Sequence, residues 1–125
     1  MEKPNIHVLI ITYNSEAFIK ACIDSLLGSN NTQIKISVID NASTDSTVEF
    51  IEQNYPSVRL LKNTENIGYA GAVNKGFENV TGDFFIIANA DVVFAPDTVR
   101  KLIAYLITCL LYTSPSPRDL STSRM

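Results

Sequence analysis

Residues 7–14 read HVLIITYN, an apolar run that ends in a hydroxyl, an aromatic ring and an amide. An apolar run without alternation is typical of a parallel β-strand that is covered on both faces. In open α/β sheets, ligands bind in the crevice at the carboxyl ends of the strands. The stretch therefore predicts the fold class and also the place of a site, at Thr12, Tyr13 and Asn14.

The rest of the chain alternates between short apolar runs and amphipathic segments. We expect strands at residues 7–11, 34–39, 58–61 and 84–88. We expect helices at residues 15–27, from a capping box at 46–49 to 55, at 70–80 and at 96–106. Because crossovers between parallel strands are right-handed, the fold class is α/β, a Rossmann-like, doubly wound, mostly parallel sheet. The expected strand order is 3-2-1-4, which brings the loops after the first and fourth strands together.

Composition narrows the classes of function. The 125 residues suffice for one domain, and 46% hydrophobic residues argue against disorder. Ten Lys and Arg against thirteen Asp and Glu leave no basic stripe, so no nucleic acid partner is expected. Cys22 and Cys109 lie far apart without metal-ligand spacing, which favours a reducing compartment. The first residues are not a signal peptide, and the apolar stretch 102–112 is too short to span a bilayer.

The loop after the first strand lacks the glycine patterns of dinucleotide-binding and P-loop proteins. Thr12, Tyr13 and Asn14 offer groups that suit a base and a ribose better than a phosphate. The alternative for Asn14 is that it caps the helix that follows.

Two carboxylates follow buried strands. Asp40 could accept hydrogen bonds from a base or a ribose, or it could form an Asx turn that organises its loop. Asp91, in Asn89-Ala90-Asp91, would be costly to bury without a partner, and a Mg²⁺ or Mn²⁺ ion bridging a diphosphate is a natural one. The alternative is a turn residue or helix cap before Pro96.

Residues 66–76, NIGYAGAVNKG, place small side chains where a helix begins. Small residues let a backbone approach a ligand, and a helix N-terminus favours anions. The same residues also serve plain packing of a helix on a sheet.

Taken in order, these segments resemble the family 2 glycosyltransferases, which have the GT-A fold. The resemblance runs from about Ile6 to Leu106. It rests on VLIITYN at residues 8–14, VIDNASTD at 38–45, the segment 66–76 and NAD at 89–91.

The resemblance implies a nucleotide-diphosphate sugar as donor, with dTDP-rhamnose or a UDP-sugar as candidates. Asp91 would hold a divalent metal, Mn²⁺ or Mg²⁺, as the last carboxylate of the family's D-x-D motif. Asn89 at the first position of that motif is similar to the rhamnosyltransferase-like branch, where Asn-Pro-Asp is common. The nucleotide-binding residues it implies are Thr12, Tyr13, Asn14, Asp40, Asn66, Gly68 and Asn74.

Family members carry the catalytic base in an acceptor-binding half after the metal motif, and that half is missing here. The catalytic residue is therefore unknown, and this chain is expected to be inactive. The full-length parent would transfer the sugar, with inversion, to a hydroxyl of a saccharide or lipid-linked acceptor. The resemblance also implies cell-envelope polysaccharide biosynthesis in the cytoplasm, peripherally at the inner face of the membrane. Loss of the acceptor half should expose a sheet edge and an apolar face.

We divide the chain into a donor-binding part, residues 1–106, and a non-native or disordered tail, residues 107–125. Residues 109–119, CLLYTSPSPRD, resemble a translated sequencing adapter, and their composition also fits a disordered tail.

Other classes of protein fit less well. A half-domain that binds a nucleotide sugar without catalysis is the alternative for the chain as it stands. A receiver-like domain would need an Asp where the third strand ends Leu61-Lys62-Asn63, and a fifth strand. A sugar-nucleotide pyrophosphorylase would need a Gly-rich loop containing Arg after the first strand.

Overall fold

The structure is a computed structural model that describes residues 5–28, 33–78 and 80–112. The strands are β1 (Asn5–Thr12), β2 (Gln33–Asp40), β3 (Arg59–Lys62) and β4 (Phe84–Asn89). The helices are α1 (Ile19–Leu27), α2 (Thr47–Asn54), α3 (Gly68–Gly76) and α4 (Thr98–Tyr112). The three strand pairs are parallel and the order is β3-β2-β1-β4, so the predicted α/β class and strand order are confirmed.

The strands end together at one edge of the sheet. Thr12 of β1 lies opposite Asp40 of β2, and Asp40 lies opposite Lys62 of β3. On the other side of β1, Ile11 lies opposite Asn89, the last residue of β4. This register brings the loops after all four strands to the same edge.

The two faces of the sheet are covered unequally. The larger core lies between the sheet and the helices α1, α2 and α4; its buried strand residues are Ile6, Val8, Ile10, Ile36, Val38 and Ala88. On the opposite face, Leu9, Ile11 and Ile39 pack against α3. A Cβ on Gly76 would lie 2.7 Å from Ile39 Cδ1, so a glycine lets α3 approach the sheet this closely.

Strand β4 forms an edge of the sheet and is less covered than β1. Phe85 and Ile87 are 39% and 41% exposed, although the run is as apolar as that of β1. Phe85 makes an edge-to-face contact with Phe77 at 5.2 Å between ring centroids. An apolar edge strand with an open face is therefore present next to α3.

The predicted start of α1 and the predicted cap of α2 are wrong. Helix α1 begins at Ile19 rather than Ser15, because the Ser15 carbonyl accepts the N–H groups of Phe18 and Ile19 in a turn before the helix. The predicted capping box of α2 is absent, since the Ser46 side chain makes no cap hydrogen bond.

Two predicted helix ends are also wrong. Helix α3 ends at Gly76 rather than Val80, because the Arg59 guanidinium donates to the carbonyls of Gly76 and Glu78 at its C-terminus. Helix α4 continues to Tyr112, beyond the predicted end at 106, since its buried stripe of Val99 and Ile103 is extended by Ile107.

The division at residue 106 stays a prediction, and residues 113–125 lie outside the described part of the chain. None of the helices in the described ranges is long and apolar enough to cross a membrane.

Candidate functional site

A cavity of about 420 Å³ opens over the carboxyl edge of the sheet. It is lined by the ends of β1 and β4, the start of α3 and the loops after all four strands: Ile11, Thr12, Tyr13, Asn14, Ser15, Phe18, Asn41, Asn66, Tyr69, Asn89, Ala90 and Asp91.

The cavity brings together five of the eight residues predicted for the site: Thr12, Tyr13, Asn14, Asn66 and Asp91. It is not lined by the other three, which are Asp40, Gly68 and Asn74. The binding roles of all eight stay predictions.

Asn14 joins the loop after β1 to the loop after β2. Its Oδ1 accepts hydrogen bonds from the backbone N–H groups of Thr44 (2.7 Å) and Asp45 (3.3 Å) and from the Thr44 hydroxyl (3.3 Å). Its own N–H donates to Ser43 Oγ at 2.8 Å. Asn14 has φ +49°, a left-handed conformation that Asn tolerates better than most residues. It thus organises the neighbouring loop and does not cap α1.

Three further hydrogen bonds close the same two loops. The Ser15 N–H donates to Thr47 Oγ1 (3.0 Å), the Glu16 N–H to Asp45 Oδ2 (3.2 Å), and the Ser46 N–H to Glu16 Oε1 (3.2 Å). We call residues 13–16 and 43–47, joined in this way, the paired loops.

Asp45 lies at the start of α2 within the paired loops. Its Oδ1 accepts the N–H (3.0 Å) and the hydroxyl (2.5 Å) of Thr47. Burial tends to raise the pKa of Asp45, but the hydrogen bonds from Thr47 and Glu16 together hold that pKa below its ordinary value. The ionised carboxylate therefore stabilises this loop.

The carboxylate of Asp40 is engaged by its own loop. Asp40 is 2% exposed, and its two oxygens accept the N–H (2.9 Å) and the hydroxyl (2.5 Å) of Ser43. This is a turn closed by the Asp side chain, as in the alternative considered from the sequence. Ala42 within it has φ +65°.

Asn41, which the sequence prediction did not include in the site, is buried where three loops meet. Its Nδ2 donates to the Gly68 carbonyl at 3.1 Å. Its Oδ1 accepts from Asn63 Nδ2 at 2.9 Å and from the Ile67 N–H at 3.3 Å. Asn41 thus ties the loop after β2 to the loop that leads into α3. The sequence feature that could have identified Asn41 is its position, since it is an amide directly after the last residue of a buried strand.

Aromatic rings stand at the cavity in addition to Tyr13. Tyr13 and Tyr69 are each about half exposed, and Phe18 is also exposed. The sequence prediction missed Tyr69 although it lies in the singled-out segment 66–76. Phe18 directly precedes α1. Asn66 accepts the Gly68 N–H at 2.9 Å, which closes the turn before Tyr69.

Asp91 lies in the loop between β4 and α4 and is exposed at the cavity. Among the described residues, no hydrogen bond to its carboxylate is found. Burial first, and then the charge of Asp91, raise the pKa of the Cys22 thiol to about 11. The thiol is therefore protonated near neutral pH, and Cys22 Sγ lies 3.9 Å from the Asn89 carbonyl.

The oxygen ligands available at Asp91 fit a metal site that the substrate helps to complete. The described ranges contain no group of three or more His, Cys, Asp or Glu side chains that could hold an ion by themselves. Mg²⁺ is commonly bound by one or two carboxylates together with substrate phosphates and water. One exposed carboxylate on a cavity fits an ion shared with a diphosphate, and does not fit an all-protein cage.

Comparison with known proteins gives a consistent family match. The family model described as Glycosyl transferase family 2 matches residues 7–112. An N-acetylglucosaminyl-diphospho-decaprenol L-rhamnosyltransferase of Mycobacterium tuberculosis is 30% identical over 107 residues, 77% of this chain and 35% of the relative. A dolichol-phosphate mannosyltransferase of Pyrococcus furiosus is 33% identical over 104 residues, 78% of this chain and 29% of the relative. The chain spans about a third of the length of the first curated relatives that it matches.

Solved structures share the fold. The mannosyltransferase PcManGT from Pyrobaculum calidifontis, in complex with GDP-Man and Mn²⁺, is similar with a TM-score of 0.76 at 28% identity, over 84% of this chain and 33% of that one. TarS residues 1–349 from S. aureus, in complex with UDP, has a TM-score of 0.74 at 22% identity, over 83% of this chain and 32% of that one.

Proposed function

This chain belongs to glycosyl transferase family 2 and has the GT-A fold, and we propose that its cavity binds the nucleotide diphosphate of a sugar donor together with a divalent metal. For the longer protein, we propose transfer of the sugar to an acceptor hydroxyl with inversion. A general base would take the proton of that hydroxyl as it attacks the anomeric carbon. We place this base outside the chain, so the 125 residues alone should bind the donor without transferring it.

One observation carries the proposal: a single cavity at the carboxyl edge of the sheet joins aromatic rings at Tyr13 and Tyr69 to a carboxylate at Asp91. A nucleotide sugar has a flat base at one end and a diphosphate toward the other, and so needs both kinds of group. PcManGT and TarS, which share the fold, were solved with GDP-Man and Mn²⁺ and with UDP.

At the nucleoside end, the rings of Tyr13 and Tyr69 offer faces on which a base can stack. Thr12 Oγ1 lies buried beside them and has no hydrogen-bond partner among the described residues. Such a group usually has a partner in native structures, and a ligand hydroxyl or carbonyl would supply one. We place Thr12 in contact with the nucleoside. We also place Asn66 and the start of α3 beside the ribose and diphosphate. In this proposal, Gly68 and Asn74 contribute indirectly, by helping to set the path of α3.

At the diphosphate end, Asp91 would hold Mn²⁺ or Mg²⁺, and the Asn89 amide lies beside it. Once bound, the ion would neutralise the negative charge that develops on the leaving nucleoside diphosphate. Asp91 would supply a carboxylate ligand from an exposed position, which leaves room for phosphate oxygens and water.

The identity of the sugar is a finer part of the proposal. Similarity to an L-rhamnosyltransferase and Asn at the first position of the motif favour dTDP-rhamnose, with a UDP-sugar as the other candidate. We further propose that the acceptor is a saccharide or a lipid-linked molecule, and that the reaction serves cell-envelope synthesis at the cytoplasmic face of the membrane. The second candidate function is a non-catalytic half-domain that binds the same nucleotides.

Thermal-shift titration of the 125-residue chain tests donor binding. UDP, dTDP and GDP would each be added with and without Mn²⁺, because a ligand that binds only the native state raises the melting temperature. We expect a shift for one base, larger with Mn²⁺, and loss of the metal-dependent part in Asp91→Asn. Asp83→Asn, at the amino end of β4, is the matched control.

No shift with any of the three nucleotides would contradict the donor site. An equal shift with and without Mn²⁺ would leave nucleotide binding in place and contradict the metal role of Asp91. Incubation of the same protein with the sugar nucleotide and water or a model acceptor should release no sugar above background.

A further inference from the structure

Helix α1 holds the loop that carries Asp91 at two points. Before Asp91, Cys22 Sγ lies 3.9 Å from the Asn89 carbonyl. After it, the Phe94 N–H donates to Ser25 Oγ at 2.9 Å. The first of these contacts is long and made by sulfur, which is a weak donor. Ser25 therefore provides the stronger attachment.

The Ser25 hydroxyl is oriented to receive the Phe94 N–H. Its own proton is donated to the Cys22 carbonyl at 2.8 Å, and its oxygen accepts the Phe94 N–H. The Phe94 side chain is buried in the larger core, and its N–H is thereby fixed over α1. A hydrogen bond between two ordered partners holds the loop at one position.

Between the two attachments, the Ala90 side chain is buried in the larger core, and residues 91–93 are exposed. The Val92 N–H donates to the Asn89 carbonyl at 3.2 Å, which forms a turn, while Val93 is 65% exposed. Asp91 lies inside this turn, three residues before Phe94. The position of its carboxylate thus depends on where Phe94 is held.

We propose that Ser25 is a positioning residue for the metal site, acting through the Phe94 N–H to set the Asp91 loop. The inference rests on the proposed function of Asp91 as a metal ligand. Ser25 does not line the cavity, so it would affect metal binding without touching the ligand.

Hydrogen exchange of the Phe94 amide in the free protein tests the attachment directly. We expect Ser25→Ala to speed this exchange by about tenfold, as loss of one hydrogen bond allows, and Ser25→Thr to restore the protection. Tyr55→Phe is a matched control, because it removes the 2.6 Å hydrogen bond from Tyr55 to Asp24 on α1 without reaching the loop. Unchanged exchange at Phe94 in Ser25→Ala would overturn the inference.

Calorimetric titration with UDP, dTDP and GDP, with and without Mn²⁺, then tests the consequence. The readout is the factor by which Mn²⁺ improves nucleotide affinity. We expect Ser25→Ala to lower this factor about threefold to tenfold, leave the metal-free affinity unchanged, and be rescued by Ser25→Thr. In Asp91→Ala, the added Ser25→Ala change should have no further effect, because the two act through one ligand.

The outcomes separate the two proposals. Suppose that Mn²⁺ improves nucleotide affinity by the same factor in Ser25→Ala as in the wild type, and that Asp91→Ala loses this improvement. This result overturns the role of Ser25 and supports the proposed function. The absence of any Mn²⁺-dependent nucleotide binding in the wild type overturns both. An equal loss in Tyr55→Phe would show a general effect of destabilising α1, and would overturn a specific role for Ser25.

Discussion

The paired loops and the loop between β4 and α4 border the same cavity but are built differently. Residues 13–16 and 43–47 exchange hydrogen bonds through both side chains and backbone, with Asn14 alone accepting three. The loop with Asp91 is held from α1 at Asn89 and Phe94, and its carboxylate faces the cavity. The proposed nucleoside end is thus organised before a ligand arrives, which would lower the entropy cost of binding. The proposed metal end relies on ligands that the diphosphate and water would add.

Among the substitutions that test this difference between the two loops, Asn14→Ala should have the largest effect. The change leaves the N–H groups of Thr44 and Asp45 without their acceptor. It also places alanine at φ +49°, a left-handed conformation that asparagine tolerates better. We expect a loss of about 2–3 kcal/mol in the free energy of unfolding, measured by urea denaturation. Asn14→Asp keeps the acceptor and should lose less than half as much. A loss below about 0.5 kcal/mol in Asn14→Ala would show that the paired loops are not joined through this residue.

Tyr13→Ala should weaken nucleotide binding by about tenfold, since stacking of a base on an aromatic side chain contributes about 1–3 kcal/mol. The loss should be the same with and without Mn²⁺, because Tyr13 belongs to the nucleoside end. Titration calorimetry measures both affinities, and Tyr13→Phe, which keeps the ring, is the control. A loss confined to the Mn²⁺ titration would contradict the separation of the two ends.

Acid should loosen the paired loops through Asp45. Its pKa in the folded protein lies below the ordinary value, so the ionised carboxylate adds stability above that value, and this stability is lost as the pH falls through the folded pKa. Asp45→Asn should therefore flatten the acid side of the curve of unfolding free energy against pH, below about pH 5. Two parallel curves for wild type and variant would contradict this role.

The smallest effect on stability is expected for Asp91→Ala. Its carboxylate is exposed and accepts no hydrogen bond within the described residues, so the unfolding free energy should stay within about 0.5 kcal/mol of wild type. The same urea denaturation used for Asn14→Ala provides the comparison. A loss of about 1 kcal/mol or more would show that Asp91 has a structural role in its loop.

The sheet could be predicted from the sequence because the features that specify each strand lie within a few consecutive residues. Continuous apolar runs mark parallel strands, and short connections with right-handed crossovers leave few possible orders. The loop contacts could not be predicted in this way, because their partners lie about 30 residues apart. Asn14 and Glu16 each bind backbone or side chains of residues 43–46, and no local pattern encodes that pairing.

The same limit explains the site residues. The position of Asp40 at a strand end predicts a contact with the ligand, which stays a prediction; that each of its oxygens accepts a hydrogen bond from Ser43 could not be read from that position. Gly68 and Asn74 lie on α3, and which residues of a helix reach a cavity depends on how closely the helix approaches the sheet. Gly76 allows a close approach, because a Cβ there would lie 2.7 Å from Ile39 Cδ1. Tyr69 rather than Asn74 lines the cavity.

The pairing of β1 with β4 has a consequence for how the chain folds. The Asn5 N–H donates to Asp83 Oδ2 across 78 residues, and Ile6 pairs with Phe84. Contacts between residues so distant in sequence are slow to form, because a long loop must close before they contribute. On the ribosome, β1 and β2 can pair early, but the central strand stays open on one side until β4 has emerged. The cavity, which needs the loop after β4, can therefore form only after β4 has paired with β1.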